Sequence, residues 1–216
     1  MIRQFGLNEA LSILSGIEST VILSFIAFVG GGIFGGIIAL LRTSEAAPLQ
    51  RFAAIYIDFF QGTPLLMQLF LVFYGLPVFG LHLNPWVAVT IGLTLHASAF
   101  LGEIWRGGIQ AVPRGQTEAA RALGLRYRDR MISVVLPQAI RLSIAPTVGF
   151  LVQLIKGTSL AAIIGFVELS RSAQIAASTT YKPLIAYGLA AIFYFVLCFP
   201  LSRLSAGLER RLVVRT

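Results

Sequence analysis

The chain of 216 residues is 56% hydrophobic and only 12% charged, with a mean hydropathy of +0.83. A soluble domain carries about 25% charged residues, so this composition excludes an ordinary water-soluble globule, a disordered tail and a DNA-binding domain. Seventeen Lys and Arg against nine Asp and Glu give a net charge of +8, which in a soluble protein would suggest nucleic acid; here the position of each charge decides its meaning. The single Cys198 excludes a disulfide framework and a cysteine zinc site. One all-α polytopic membrane domain, residues 1–216, is the expectation.

A transmembrane helix needs roughly 20 mostly apolar residues to cross about 30 Å of hydrocarbon. The first such run, 20–41, holds no charge and ends at Arg42. It is too long for the core of a cleaved signal, Glu9 and Glu18 precede it, and no small-x-small cleavage site follows before Arg42. Gly31 with Gly35, and Gly32 with Gly36, lie four apart and let helices approach closely, within one subunit or across a dimer. The second run, 55–79, carries Asp58 near its start and Gly62, Thr63 and Pro64 inside it. The third, 86–105, has Glu103 near its end; the fourth, 142–166, contains Lys156; the fifth, 184–204, meets charge only at Arg203. Cys198 within the fifth is expected to be apolar filler.

Short loops rich in Lys and Arg face the cytoplasm. With the N-terminus outside, the inside segments hold Arg42 and Arg51, then Arg106, Arg114, Arg121, Arg126, Arg128, Arg130 and Arg141, and last Arg203, Arg210, Arg211 and Arg215. The outside segments hold Arg3, Arg171 and Lys182. Thirteen against three predicts an N-terminus outside and a C-terminus inside.

The inside loop of about 107–140 has the densest charge. Thr117 is placed to cap a helix over 117–123, with Glu118 near its start to suit the helix dipole, and Gly124 is a natural stop. A second helix is expected over 127–136, interrupted by Pro137. The small side chains of Ala119, Ala120 and Ala122 make the first helix slim enough to enter a groove on a partner. An amphipathic helix held to anionic lipid by its arginines is the competing reading.

Glu118, Ala119, Ala120, Gly124, Leu136 and Pro137 match the pattern Glu-Ala-Ala-x3-Gly-x9-Ile-x-Leu-Pro, with Val134 in the Ile position. The loop resembles the EAA loop of permease subunits of bacterial binding-protein-dependent ABC importers. The segment Tyr56-Ile-Asp-Phe-Phe-Gln-Gly-Thr-Pro-Leu-Leu-Met-Gln68 is similar to a stretch of the polar amino acid permeases, with Asp58 for the usual Glu and Gln61 where Arg is common. Residues 98–109 and 154–160 resemble two further stretches of the histidine/glutamine/arginine/glutamate-type subfamily. The resemblance implies a type I importer permease of the bacterial inner membrane whose loop is a coupling helix. It implies docking of two ATP-binding subunits, which carry ATP and Mg, and pairing with a second or paralogous permease. It also implies an external, periplasmic amino-acid-binding protein as the source of an amino-acid substrate.

A charge at the bilayer centre costs several kcal/mol and usually faces a bundle interior or a water-filled path. An amino-acid zwitterion needs an acceptor for its ammonium, for which Asp58 or Glu103 is suited. It needs a donor for its carboxylate, for which Lys156, Thr158, Ser159 or a freed backbone N–H is suited. Thr63 and Gln68 belong to the same candidate path, because the Gly62–Thr63–Pro64 break frees backbone groups that hydrocarbon tolerates only when packed or lining a cavity. Gly157–Thr158–Ser159 is a possible second break. The alternative is a structural ion pair from Lys156 to Asp58 or Glu103.

His82 and His96 stand alone in sequence, which argues against a metal site. No Gly-x4-Gly-Lys-Ser/Thr loop is present, and Lys156–Ser159 has the wrong order for one. With no nucleophile triad in a plausible setting, neither catalysis nor a cofactor of its own is expected of the chain. A transport subunit driven by separate ATPases fits the docking loop; a stand-alone channel or small secondary carrier is the alternative, and a scaffold gives no reason for Lys156.

Overall fold

The computed structural model describes residues 4–213; Arg3 and Arg215, both counted in the charge sort, lie outside them. Within these residues every regular element is a helix. α1 runs Leu7–Arg42 and α2 Ala47–Gly62. α3, Leu65–Phe70, continues through a π turn and a 3-10 turn to Phe79. α4 spans Pro85–Gln110, α5 Arg114–Ala122 and α6 Tyr127–Arg130. A π turn, Met131–Val135, leads into α7, Leu136–Gly157, which tightens to a 3-10 helix over Thr158–Ile164. α8 is Leu169–Thr180 and α9 Pro183–Val213.

Four helices are long and apolar enough to cross a membrane: Leu7–Arg42, Pro85–Gln110, the continuous Tyr127–Ile164, and Pro183–Arg211. The second predicted span differs from a straight crossing. It is two helices, Ala47–Gly62 and Leu65–Phe79, bent by 105° at Thr63–Pro64, so the count reaches five only if this bent pair is one span. Proline explains the bend, because it disfavours helical geometry at the residue before it, and Thr63 is extended at φ −115°, ψ 142°.

At 1.5 Å per residue α1 is about 54 Å long, well beyond the roughly 30 Å of hydrocarbon. Its N-terminal surplus is not idle: Ile13 is buried among Leu169, Ala173, Ala176 and Ala186 of α8 and α9. Lipid tails supply no hydrophobic drive between helices, so small residues that permit close packing hold the bundle together. Gly31 shows the principle. A Cβ there would stand 2.4 Å from the Cβ of Ala97 on α4, and one at Gly35 would stand 2.9 Å from the Ser98 carbonyl oxygen. Gly32 and Gly36 face the indole of Trp105. Of the two readings of this glycine face, the structure uses packing within one subunit. The central core joins Leu23 and Ala27 of α1 with Leu93, Ala97 and Leu101 of α4 and Phe150 and Leu154 of α7. Cys198 packs with Val152 and Ile155, an apolar contact as expected.

Pro137 does not interrupt its helix. It falls directly after the π turn inside the continuous Tyr127–Ile164 helix, and the wider turn accommodates a residue that lacks an N–H. Gly157–Thr158–Ser159 is not a second break either: the helix narrows there and continues. The hydroxyls of Thr158 and Ser159 donate to the carbonyls of Ile155 at 2.8 Å and Lys156 at 2.7 Å.

Candidate functional site

Two regions carry the residues singled out by sequence. The first is the loop between α4 and α7. Its helix α5 starts at Arg114, because Pro113 takes the N-cap position. Thr117 is therefore inside the helix rather than its cap, and Glu118 lies beyond the first turn, outside the strongest part of the helix dipole. The helix ends as expected: Gly124 adopts φ +77°. Its N–H donates to Arg121 O at 2.9 Å, and the Leu125 N–H to Ala120 O at 3.1 Å. This paired closure satisfies two carbonyls that the helix end would leave bare, and it needs a left-handed residue that glycine adopts without strain.

Within α5 the matched residues divide. Glu118 and Ala119 are exposed, whereas Ala120 is buried. Leu123, not singled out in the sequence, is 82% exposed at the helix end. Leu136 belongs elsewhere: it packs with Val112, Met131, Val135 and Ala139 at the base of the loop, and Pro137 follows it into α7. The loop is also tied to the α1–α2 connection. Arg130, counted in the sequence only as topology charge, is buried, lies 3.8 Å from a Glu45 carboxylate oxygen and covers the Tyr127 ring at 5.3 Å. The Tyr127 hydroxyl donates to Thr43 O at 3.4 Å. A slim, exposed helix is thus held on a base that is tied to the α1–α2 connection.

The second region is the elbow between α2 and α3. A helix that stops at membrane depth leaves carbonyls without partners, each costing several kcal/mol in hydrocarbon. Thr63 and Gln68 supply those partners. The Thr63 hydroxyl donates to Phe59 O at 2.8 Å. The Gln68 amide nitrogen donates to Phe60 O at 2.7 Å, Thr63 O at 3.0 Å and Thr63 Oγ1 at 2.9 Å. Gln68 is only 5% exposed. His96, noted in the sequence only as too isolated for a metal site, places Nδ1 at 3.0 Å from Gln68 Oε1. A recess of about 200 Å³ opens beside the elbow, lined by Phe59, Phe60, Thr63, Met67, Gln68 and Leu95 among others. The end of α7 adjoins it: a Cβ on Gly157 would stand 3.0 Å from Leu65 Cδ2.

The structure therefore joins Thr63 and Gln68 at the elbow and packs Gly157 against its Leu65, while Thr158, fully buried, and Lys156, exposed, lie toward Tyr194 and Cys198 of α9 instead. Asp58 lies on the exposed face of α2, just before the elbow. The alternative ion pair from Lys156 to Asp58 or Glu103 is not formed. Glu103 instead pairs with Arg106, three residues on, which also bonds Gln110. The described ion pairs are this one and Glu45–Arg130.

One buried carboxylate escaped the sequence reading. Glu168 is fully buried ahead of α8; it accepts from the Arg171 N–H at 2.8 Å and the Tyr194 hydroxyl at 2.7 Å. Beside it, the Leu169 N–H donates to Thr20 Oγ1 on α1 at 3.2 Å. Its only sequence signal is an acid set among Phe166, Val167 and Leu169. Among the described residues no group of three or more His, Cys, Asp and Glu is placed to hold a metal ion.

A family model described as "Binding-protein-dependent transport system inner membrane component" matches residues 31–214. The chain is 41% identical over 198 residues to the L-cystine transport system permease protein TcyB of Bacillus subtilis (strain 168), covering 91% of this chain and 85% of that one. It is 37% identical to the probable glutamine ABC transporter permease protein GlnM of the same organism, covering 92% of each. A crystal structure of an amino acid ABC transporter with histidines superposes with a TM-score of 0.87 at 38% identity, covering 93% of this chain and 94% of that one.

Proposed function

The chain belongs to the family of binding-protein-dependent transport system inner membrane components, and we propose that the cargo it passes is a polar or charged amino acid. It is a membrane-spanning permease subunit of the ABC-importer type, a transport subunit rather than a catalyst. In the working arrangement the N-terminus faces outside and the C-terminus the cytoplasm, as the thirteen-to-three sorting of basic residues supports. A second permease copy or a paralogue completes the path. An external solute-binding protein delivers the amino acid, and two ATP-binding subunits, holding ATP and Mg, dock on the two α5 helices.

The observation that carries this reading is the exposed face of α5, ended at Gly124 and seated on Tyr127 and Arg130. It offers Glu118 and Ala119 on a narrow helix, with the exposed Leu123 as an apolar knob. Such a helix fits a cleft, and closure of the cleft would move α4 and α7, which enter and leave its loop, together. The Thr63–Gln68 elbow, with Asp58 just before it, and Lys156, Thr158 and Ser159 at the end of α7 are this chain's contributions to the path. Glu103, committed to Arg106, serves the structure instead.

The test is to purify the complex, identify the subunits that accompany the chain, and measure which amino acid, with its binding protein, stimulates ATP hydrolysis. The Gly124→Asp variant places a carboxylate on the docking surface, where nothing lies within 4 Å of the new Cβ. It is expected to insert normally yet lose ATP-coupled uptake; persistent uptake would refute the docking role, and uptake without any ATP-binding subunit would favour a stand-alone carrier.

A further inference from the structure

The amide of Gln68 has a single sensible orientation. Its nitrogen faces Phe60 O, Thr63 O and Thr63 Oγ1; two of these are carbonyls that only accept, and the third already donates to Phe59 O. The nitrogen must therefore donate, which leaves Oε1 toward His96 Nδ1 at 3.0 Å. Because Oε1 only accepts, Nδ1 carries the proton. One hydrogen bond thus fixes α4 to the elbow of the bent span.

The same imidazole reaches the other way. Its ring centroid lies 4.5 Å from that of Phe100 and 6.4 Å from that of Phe150 on α7, and Phe100 stacks on Phe150 at 5.4 Å with an interplanar angle of 13°. Helices α4 and α7 are the two that enter and leave the α5 loop. His96 therefore stands where both loop-bearing helices meet the elbow that caps α2 and borders the recess.

We propose that His96 is a positioning residue for transport: through the Nδ1–H to Gln68 bond it makes the α2–α3 elbow follow α4 and α7 when the loop is moved. The inference rests on the permease reading above. The bond keeps the Gln68 amide aimed at the broken end of α2, so the elbow travels as a unit with α4. Without it, Gln68 Oε1 is a buried acceptor without a partner, and the elbow relaxes independently of the loop.

Two variants separate the bond from the ring. His96→Asn puts an amide nitrogen close to the place of Nδ1 and removes the aromatic stack. His96→Phe keeps the stack and removes the donor. The readout is amino acid transported per ATP hydrolysed in proteoliposomes containing the whole complex, with the amino acid that stimulates the unmodified complex as probe, alongside the yield of assembled complex. His96→Phe is expected to assemble and hydrolyse ATP but to lose about tenfold in transport per ATP, the order expected for a buried acceptor left unsatisfied. His96→Asn is expected to stay within about twofold of the unmodified complex. Normal transport by His96→Phe overturns the proposal, as does an equal loss in both variants, which assigns the effect to ring packing. Failure of both to assemble likewise overturns it by making the residue structural. An unmodified complex that no amino acid stimulates refutes the importer reading itself, so the two failures are distinguishable.

Discussion

The Tyr194 hydroxyl on α9 donates to a carboxylate oxygen of Glu168, 2.7 Å away and with no exposed surface. That carboxylate also caps α8 through the Arg171 N–H, and Leu169 beside it donates to Thr20 on α1. A buried carboxylate is costly unless hydrogen-bonded, so its several partners explain its presence. Three helices, two of them remote in sequence from the third, meet at this point.

Glu168→Ala is expected to destabilise the protein by about 1–3 kcal/mol, since it leaves the Arg171 N–H without an acceptor and the Tyr194 hydroxyl with only Ser170 Oγ at 3.1 Å. Glu168→Gln, which keeps an acceptor oxygen, is expected to cost less. Thermal unfolding in detergent measures both; an alanine variant that melts with the unmodified protein would show that the network adds nothing.

Gly31 and Gly62 should respond oppositely to a side chain. Gly31→Val meets Ala97 across a contact that already leaves no room for a Cβ, and overpacking of this kind costs about 1–3 kcal/mol or more. It is expected to part α1 from α4 and abolish the sharp peak of folded protein in size-exclusion chromatography. Gly62→Ala meets nothing within 4 Å and is expected to elute as the unmodified protein does.

In α5, Leu123→Ala and Gly124→Val test the proposed docking by different routes. The first removes an exposed apolar knob and is expected to weaken binding of the ATP-binding subunit by about 1 kcal/mol or more, without changing stability. The second forces a branched side chain into φ +77°, at a cost of roughly 1–2 kcal/mol, and unwinds the end of α5. Gly124→Asn, which tolerates the left-handed region, should keep the turn. Pull-down titration of the ATP-binding subunit ranks the three; equal affinity for all would remove this helix end from the interface.

Lys156 is exposed and forms none of the described ion pairs. Lys156→Met is therefore expected to leave complex assembly intact and to lower uptake severalfold, with the loss read from initial rates in vesicles against complex yield. Equal loss of rate and yield would make the residue structural.

Much of the architecture is legible in the sequence because hydrocarbon imposes length and apolarity on each span. The runs at 20–41, 86–105 and 184–204 fall within helices, and 142–166 overshoots its helix by two residues, since that helix ends at Ile164. Their ends were underestimated wherever a helix continues into polar surroundings: α1 starts at Leu7, and the helix through α7 starts at Tyr127. The glycine stop at 124 is equally legible, since few other residues accept φ +77°. Pro137 does not interrupt the helix for a local reason: a π turn directly upstream accommodates it within the continuous helix, and nothing in residue type announces that turn.

The sequence by itself determined a membrane-spanning helical chain, an uneven placement of its basic residues, and a short helix stopped at Gly124, because apolar run length, charge placement and turn-forming residues are local properties. The tertiary structure alone decided the partners of the polar side chains. Glu103 turned to Arg106 instead of Lys156, Gln68 turned back to its own broken helix and onto His96, and Glu168 gathered Tyr194 and the start of α8. In a low-dielectric interior each donor must find an acceptor within about 3 Å, and which acceptor is nearest depends on how distant segments pack, a relationship that no stretch of sequence contains.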